Sequence, residues 1–126
     1  MSEYIVDLVS SESVSAPDDL VCGDYEADEI KIATAGDYQR GMVLIYDSGE
    51  YKKPAADAGI TGATEVCILC DDVTVPSGDY VIRTGYFKGR FNGKAVILAY
   101  EQASDNHDTL IDAVRQKLRL QGISIV

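Results

Sequence analysis

Cys67 and Cys70 are the residues of this chain whose type and spacing most resemble a chemical motif. A C-x-x-C pair binds zinc or cycles as a dithiol when a turn or a helix start brings both sulfurs to one side. Here the pair lies in Glu65-Val66-Cys67-Ile68-Leu69-Cys70, with no Gly or Pro between the thiols. Such an apolar, branched run predicts a strand, and side chains three apart on a strand point to opposite faces. The thiols are therefore expected to diverge and to be buried as small hydrophobes. A zinc site would also need Cys22 or His107, and their spacing matches no zinc knuckle. Three cysteines, an odd number, do not suggest a disulfide framework.

The remaining candidates are weaker. His107 is the only histidine and no Gly-x-Ser-x-Gly is present, which argues against a hydrolase triad. Standing beside a helix start, His107 is expected to be a solvated first-turn residue. Gly89-Arg90-Phe91-Asn92-Gly93-Lys94-Ala95 loosely follows a phosphate loop, but it has three residues between the glycines and Ala95 where Ser or Thr is required. Asp24, Glu26, Asp28 and Glu29 lack the glycine and terminal glutamate of a calcium loop and read as a solvated acidic stretch. Asp71-Asp72 reads as a turn after a strand. The sequence implies no catalytic residue, metal site or cofactor.

The elements that would position these residues are mostly strands. Gly41-Met42-Val43-Leu44-Ile45-Tyr46 is the strongest. It closes in the turn Asp47-Ser48-Gly49-Glu50, and Tyr51 begins a returning strand. Leu20-Val21-Cys22 and Ile30-Lys31-Ile32-Ala33 are expected as short strands on either side of the acidic stretch. Residues 53–59 could hold one helical turn, with Pro54 at an allowed early position. Further strands are expected at residues 66–69, 73–75, 80–83 and 95–100, with residues 87–94 forming a loop or irregular strand. Leu110, Ile111, Val114 and Leu118 make one apolar stripe, which predicts a helix over residues 108–121. Asp105, Asn106 and Asp108 suit its start, and Arg115, Lys117, Arg119 and Gly122 suit its end. Ile123-Ser124-Ile125-Val126 then reads as a terminal apolar strand that wants burial.

At 126 residues this is a single domain, mainly β with one helix near the C-terminus: an α+β fold with a small β-barrel or β-clip-like body. Residues 1–30 contrast with the rest, carrying nine carboxylates and no Lys or Arg. They divide the chain into a flexible N-terminal arm, residues 1–28, and a compact domain, residues 29–126. A net charge of −10 argues against nucleic-acid binding, which needs clustered Lys and Arg. The absence of a long apolar run or a signal pattern points to a soluble protein made in the cytoplasm, with no membrane partner. Within the arm, Tyr4-Ile5-Val6-Asp7-Leu8-Val9 is a short β-prone run. It suits addition to an open sheet edge of a partner, or an edge strand of the chain's own sheet.

Four segments together resemble the head decoration proteins of tailed phages. Arg40-Gly41-Met42-Val43-Leu44 with Asp47-Ser48-Gly49-Glu50-Tyr51 is similar to the family's glycine, strand, turn and second strand. Gly62-Ala63-Thr64-Glu65-Val66-Cys67-Ile68-Leu69 resembles its Gly-Ala-x-x-Val-Gly-Ile-Leu segment, with Cys67 where the family often has Gly. Residues 80–91 resemble a later strand with an Arg-Thr-Gly turn. Leu120-Gln121-Gly122-Ile123-Ser124-Ile125-Val126 is similar to the family's terminal Gly-x-x-Ile-Ser-Ile-Val. The resemblance, over residues 35–126, implies a virion structural protein with no enzymatic activity. It implies a homotrimer at threefold and quasi-threefold positions on the outer surface of the expanded head, bound to the major capsid protein and stabilising the shell against DNA pressure. It also implies that the arm, through Tyr4, Ile5, Val6, Leu8 and Val9, orders as a strand on the shell, with both termini facing the capsid. Residues of a trimer interface are not legible. The alternative from the residues alone is a small cellular β-barrel that binds a ligand.

Overall fold

The computed structural model describes residues 19–126. Among these described residues there are eight strands, two α-helices and one 3₁₀ turn. In chain order they are β1 (Val21–Ile32), β2 (Gly36–Tyr38), β3 (Val43–Asp47), β4 (Glu50–Lys52), α1 (Asp57–Thr61), β5 (Val66–Leu69), β6 (Val73–Val75), β7 (Val81–Phe91), the 3₁₀ turn (Gly93–Ala95), α2 (His107–Leu120) and β8 (Ile123–Ile125). The body is mainly β with one long helix near the C-terminus.

The main sheet runs β1-β7-β5-β3-β4, antiparallel throughout, and β8 joins β7 in parallel beyond the end of β5. The sheet curls until the Cα atoms of its two outer strands, β1 and β4, come within 8 Å of each other. Tyr51 of β4 then meets Phe87 of β7 edge to face, with ring centroids 5.9 Å apart. The result is a small barrel with a seam, and the ribbon of β2 and β6 covers part of its interior.

Alternation along the strands creates two cores. Cys67 and Leu69 of β5 point inward with Ile30, Ile32, Leu44, Tyr51, Val73 and Val75. Val66 and Ile68 point outward, joining Val43, Tyr86, Phe91, Ile123 and Ile125 beneath α2. Every residue of β5 is buried, so its sequence reads as a continuous apolar run rather than an alternating one. Helix α2 lays Ile111, Val114 and Leu118 on the outer core, each contributing about 1.5–3 kcal/mol of apolar transfer. Asn106 caps it, its side chain accepting from Thr109 N at 3.0 Å. Gly122 ends it at φ +96°, where a left-handed C′ residue is expected. Arg115 donates to the Ile125 carbonyl (2.6 Å) and Lys117 to the Ala63 carbonyl (2.7 Å), tying the helix to β8 and to the turn after α1.

Several local expectations change or resolve. The two short strands expected around the acidic stretch are one strand, β1, so residues 21–28, assigned above to the arm, pair with β7 from Val21 opposite Phe91 to Asp28 opposite Gly85. Register shifts between Val21 and Tyr25 and between Glu26 and Ala27 let this polar stretch follow the curl. Of the two forms expected for residues 87–94, residues 87–91 take the strand, because β1 holds one edge of β7 there and β8 the other. Residues 95–100 do not form a ladder strand. They make one parallel bridge, Met42 to Ile97, and are apolar because Val96 and Leu98 enter the outer core while Ile97 and Ala99 cover the inner one. The short helix begins at Asp57, after Pro54 rather than around it.

Gly41 fixes where this covering segment crosses β3. Its φ is +94°, and a Cβ there would lie 2.5 Å from the Ala95 carbonyl oxygen. Gly41→Ala is expected to cost about 2 kcal/mol or more, lowering the thermal midpoint by roughly 10 °C. Circular dichroism melts of the two proteins measure this directly. An unchanged midpoint would mean the crossing is not tight.

Candidate functional site

The C-x-x-C thiols separate as their spacing requires: Cys67 lies in the inner core and Cys70 in the outer. Burial pushes both thiols up, which disfavours the thiolate that a nucleophile or metal ligand needs. Beside Cys70, Arg40 Nη1 donates to the Cys70 carbonyl (2.7 Å) and to Tyr86 Oη (2.9 Å). Its backbone N–H donates to Asp72 Oδ1 (2.8 Å), so Asp72 organises the turn after β5. Burial pushes the Tyr86 hydroxyl up to about 12, against the lowering effect of Arg40. This cluster clamps β5, β7 and the turn.

Asp24, Glu26, Asp28 and Glu29 are exposed along β1, and Glu26, Asp28 and Glu29 border a shallow pocket with Tyr51, Glu65 and Phe87. Glu26 lies 4.0 Å from Lys88 on the neighbouring strand. Among the described residues, no group of three or more His, Cys, Asp or Glu is arranged to hold a metal ion. The segment that loosely followed a phosphate loop is the end of β7 and the 3₁₀ turn. Its amides are already used, Gly93 N by the Val126 carbonyl, Lys94 N by Asn92 Oδ1 and Ala95 N by the Asn92 carbonyl.

His107 is not a solvated first-turn residue. It is half-buried at the start of α2, with Nδ1 2.6 Å from Glu101 Oε1 and Nε2 2.7 Å from the Gly93 carbonyl. Both ring nitrogens face acceptors, and only the imidazolium can donate from both. The Glu101 carboxylate first, and the Gly93 carbonyl second, raise its pKa above 6.5. The ring has no free lone pair for a substrate proton or a metal. It fastens the helix start to the 3₁₀ turn.

Two surface features follow from that fastening. The first is an open cleft of about 650 Å³ whose lining includes Met42, Ile97, Ala99, Lys53, Lys94, Glu101 and His107. Sequence reasoning missed it because it forms between residues 94–107 and the β2 and β4 ends. Its one signal was Glu101 placed six residues before His107. The second feature is the meeting of the two ends of the described chain. Asn92 N donates to the Leu20 carbonyl at 2.8 Å, and Gly93 N to the Val126 carbonyl at 2.9 Å. Consecutive peptide groups therefore hold the incoming and outgoing chain side by side. Tyr4, Ile5, Val6, Leu8 and Val9, the expected arm contacts, lie outside the described residues. The chain matches no protein-family model and no curated protein sequence.

Two measurements check this site. Folding raises the His107 pKa, so its contribution to stability is complete below pH about 6.5 and is lost as pH rises through the higher folded value. Stability is thus expected to fall across that window in the native protein and to stay flatter in His107→Gln, read by denaturant melts at stepped pH. NMR titration should place the ring above 6.5. For the thiols, an aromatic disulfide reagent should modify exposed Cys22 in the native protein, and Cys67 and Cys70 only after unfolding.

Proposed function

We propose that this chain is a capsid decoration protein, a virion structural component that binds the outer surface of an expanded phage head. In this reading it sits as a homotrimer at threefold and quasi-threefold positions on the major capsid protein and reinforces the shell against packaged DNA. The observation that carries the proposal is the side-by-side hold of Leu20 and Val126 by Asn92 and Gly93. It brings Leu20, just after the leading segment, beside the end of β8. An arm and a body contact can then engage one surface together, and linking two weak contacts raises their joint affinity. The sequence resemblance of residues 35–126 supports the same reading, as does a short β-prone segment suited to a partner's open sheet edge.

The role asked of the body is rigidity rather than chemistry. Its reactive groups are internal braces: buried thiols, an arginine clamp and a doubly bonded histidine. The alternative, a ligand-binding β-barrel of cellular origin, would use the cleft beside Lys53 and Lys94.

Co-sedimentation with expanded heads stripped of their decoration separates the two. The full chain is expected to saturate the shell at lattice stoichiometry. A chain lacking residues 1–18 is expected to bind at least tenfold more weakly; the cut stops short of Leu20, which is a core residue. Absence of shell binding by the full chain, with thermal stabilisation by a small anionic ligand, would favour the alternative.

A further inference from the structure

We propose that the seam of the barrel, where the outer strands β1 and β4 approach, binds an arginine or lysine side chain carried on an extended segment of a partner protein. Cys70 N donates to the Thr84 carbonyl at 3.0 Å, so the peptide groups of Thr84 face β5. Glu29 stands opposite Thr84, and the two form a pair without hydrogen bonds, the N–H and C=O of Glu29 facing away from β7. Alternation along the strand turns Ala27 the same way. Across the seam, Tyr46 N donates to the Glu65 carbonyl at 3.0 Å, and Tyr51 stands opposite Tyr46. The peptide groups of Tyr51 therefore point away from β3. Two strand edges thus face each other, and among the described residues no ladder or other backbone hydrogen bond joins them.

The side chains at these edges carry one sign of charge. A shallow pocket of about 420 Å³ is bordered there by Tyr51, Phe87, Glu26, Asp28, Glu29 and Glu65, with no Lys or Arg in its lining. Asp28 Oδ1 accepts from Glu29 N at 2.7 Å, and Glu65 Oε1 accepts from the Tyr51 hydroxyl. Neither bond brings a positive charge. Lys88 Nζ lies 4.0 Å from Glu26 Oε1, but both side chains are largely exposed. An ion pair of that kind is worth little and yields to a better one.

These groups define the occupant. Edge carbonyls and neighbouring carboxylates call for positive charge and several donors at once, which a guanidinium or ammonium supplies. Tyr51 and Phe87, edge to face at 5.9 Å, add ring surface on which a guanidinium packs well. Ala27 and Tyr51 also present N–H groups at the edges, and only an occupant with carbonyls of its own can use those. A basic side chain on a peptide meets both demands, whereas a small free cation or a metal ion meets one. A second copy of this chain is a poor occupant, because its net charge of −10 repels an acidic edge. The inference does not rest on the decoration reading, since charge and backbone alone define the partner.

The test titrates the full chain, labelled with ¹⁵N, with the capped peptide acetyl-Gly-Gly-Arg-Gly-Gly-amide. Amides of Ala27, Glu29, Tyr51, Glu65 and Phe87 are expected to shift together and to saturate with a dissociation constant on the order of millimolar. Replacing Arg by citrulline, which keeps the shape and removes the charge, should abolish the shifts. Methylguanidinium alone should bind several-fold more weakly than the peptide. Glu26→Gln/Glu29→Gln alters two exposed side chains and should weaken the peptide about fivefold. Equal binding of the citrulline and arginine peptides would overturn the proposal, as would shifts spread to Asp71, Asp72 and Asp105, or no shift at all. Methylguanidinium binding as tightly as the peptide would overturn it in favour of a small free cation, and displacement of the peptide by a lower concentration of calcium in favour of a metal site. None of these readouts involves the shell, so the decoration reading stands or falls separately.

Discussion

Strand β7 is the constraint on which the rest of this molecule depends. It is hydrogen bonded to β1 along one edge and to β5 and then β8 along the other. A strand paired on both edges cannot shift register without exchanging its inner and outer faces. Its register therefore fixes which side chains enter each core: Phe87 packs against the inner one, while Tyr86 and Phe91 are buried in the outer. The curl that brings Tyr51 to Phe87, and the place where α2 rests, both follow from that assignment.

The elements legible in sequence were those whose pattern answers to one surrounding. Helix α2 has a single buried stripe, a capping Asn106 and a glycine at its end, and it was read within a residue of its true limits. The β3–β4 hairpin and β5 were equally plain, since a turn composition or an unbroken apolar run marks each. The elements misread were those stabilised from far along the chain. The acidic half of β1 is a strand because β7 pairs with it, and its own residues favour solvent. Residues 95–100 look like a strand because they serve two cores at once, an apolar demand unrelated to ladder pairing.

The candidate site divides in the same way. That Cys67 and Cys70 would part company followed from strand geometry alone, and the cores they enter are on opposite sides of β5. The role of His107 did not follow, because its two partners come from a loop and a turn whose approach depends on tertiary packing. A lone histidine at a helix start carries no mark of the acceptors that will face it. The cleft was hidden for a related reason: its lining mixes residues that read as strand with lysines that read as surface.

The antiparallel pairing of β1 with β7 also sets how the body answers a mechanical load. Hydrogen bonds in such a ladder lie across the strands. A pull on the chain ahead of Leu20 runs along the axis of β1, parallel to β7 and at right angles to those bonds. The paired residues of β1 then resist sliding together, whereas a pull from the side would part them in sequence. With the neighbouring peptide groups of Asn92 and Gly93 gripping both Leu20 and Val126, tension arriving through one end is shared at once with the other. This end of the body is thus a shear joint, the geometry in which a small sheet yields least.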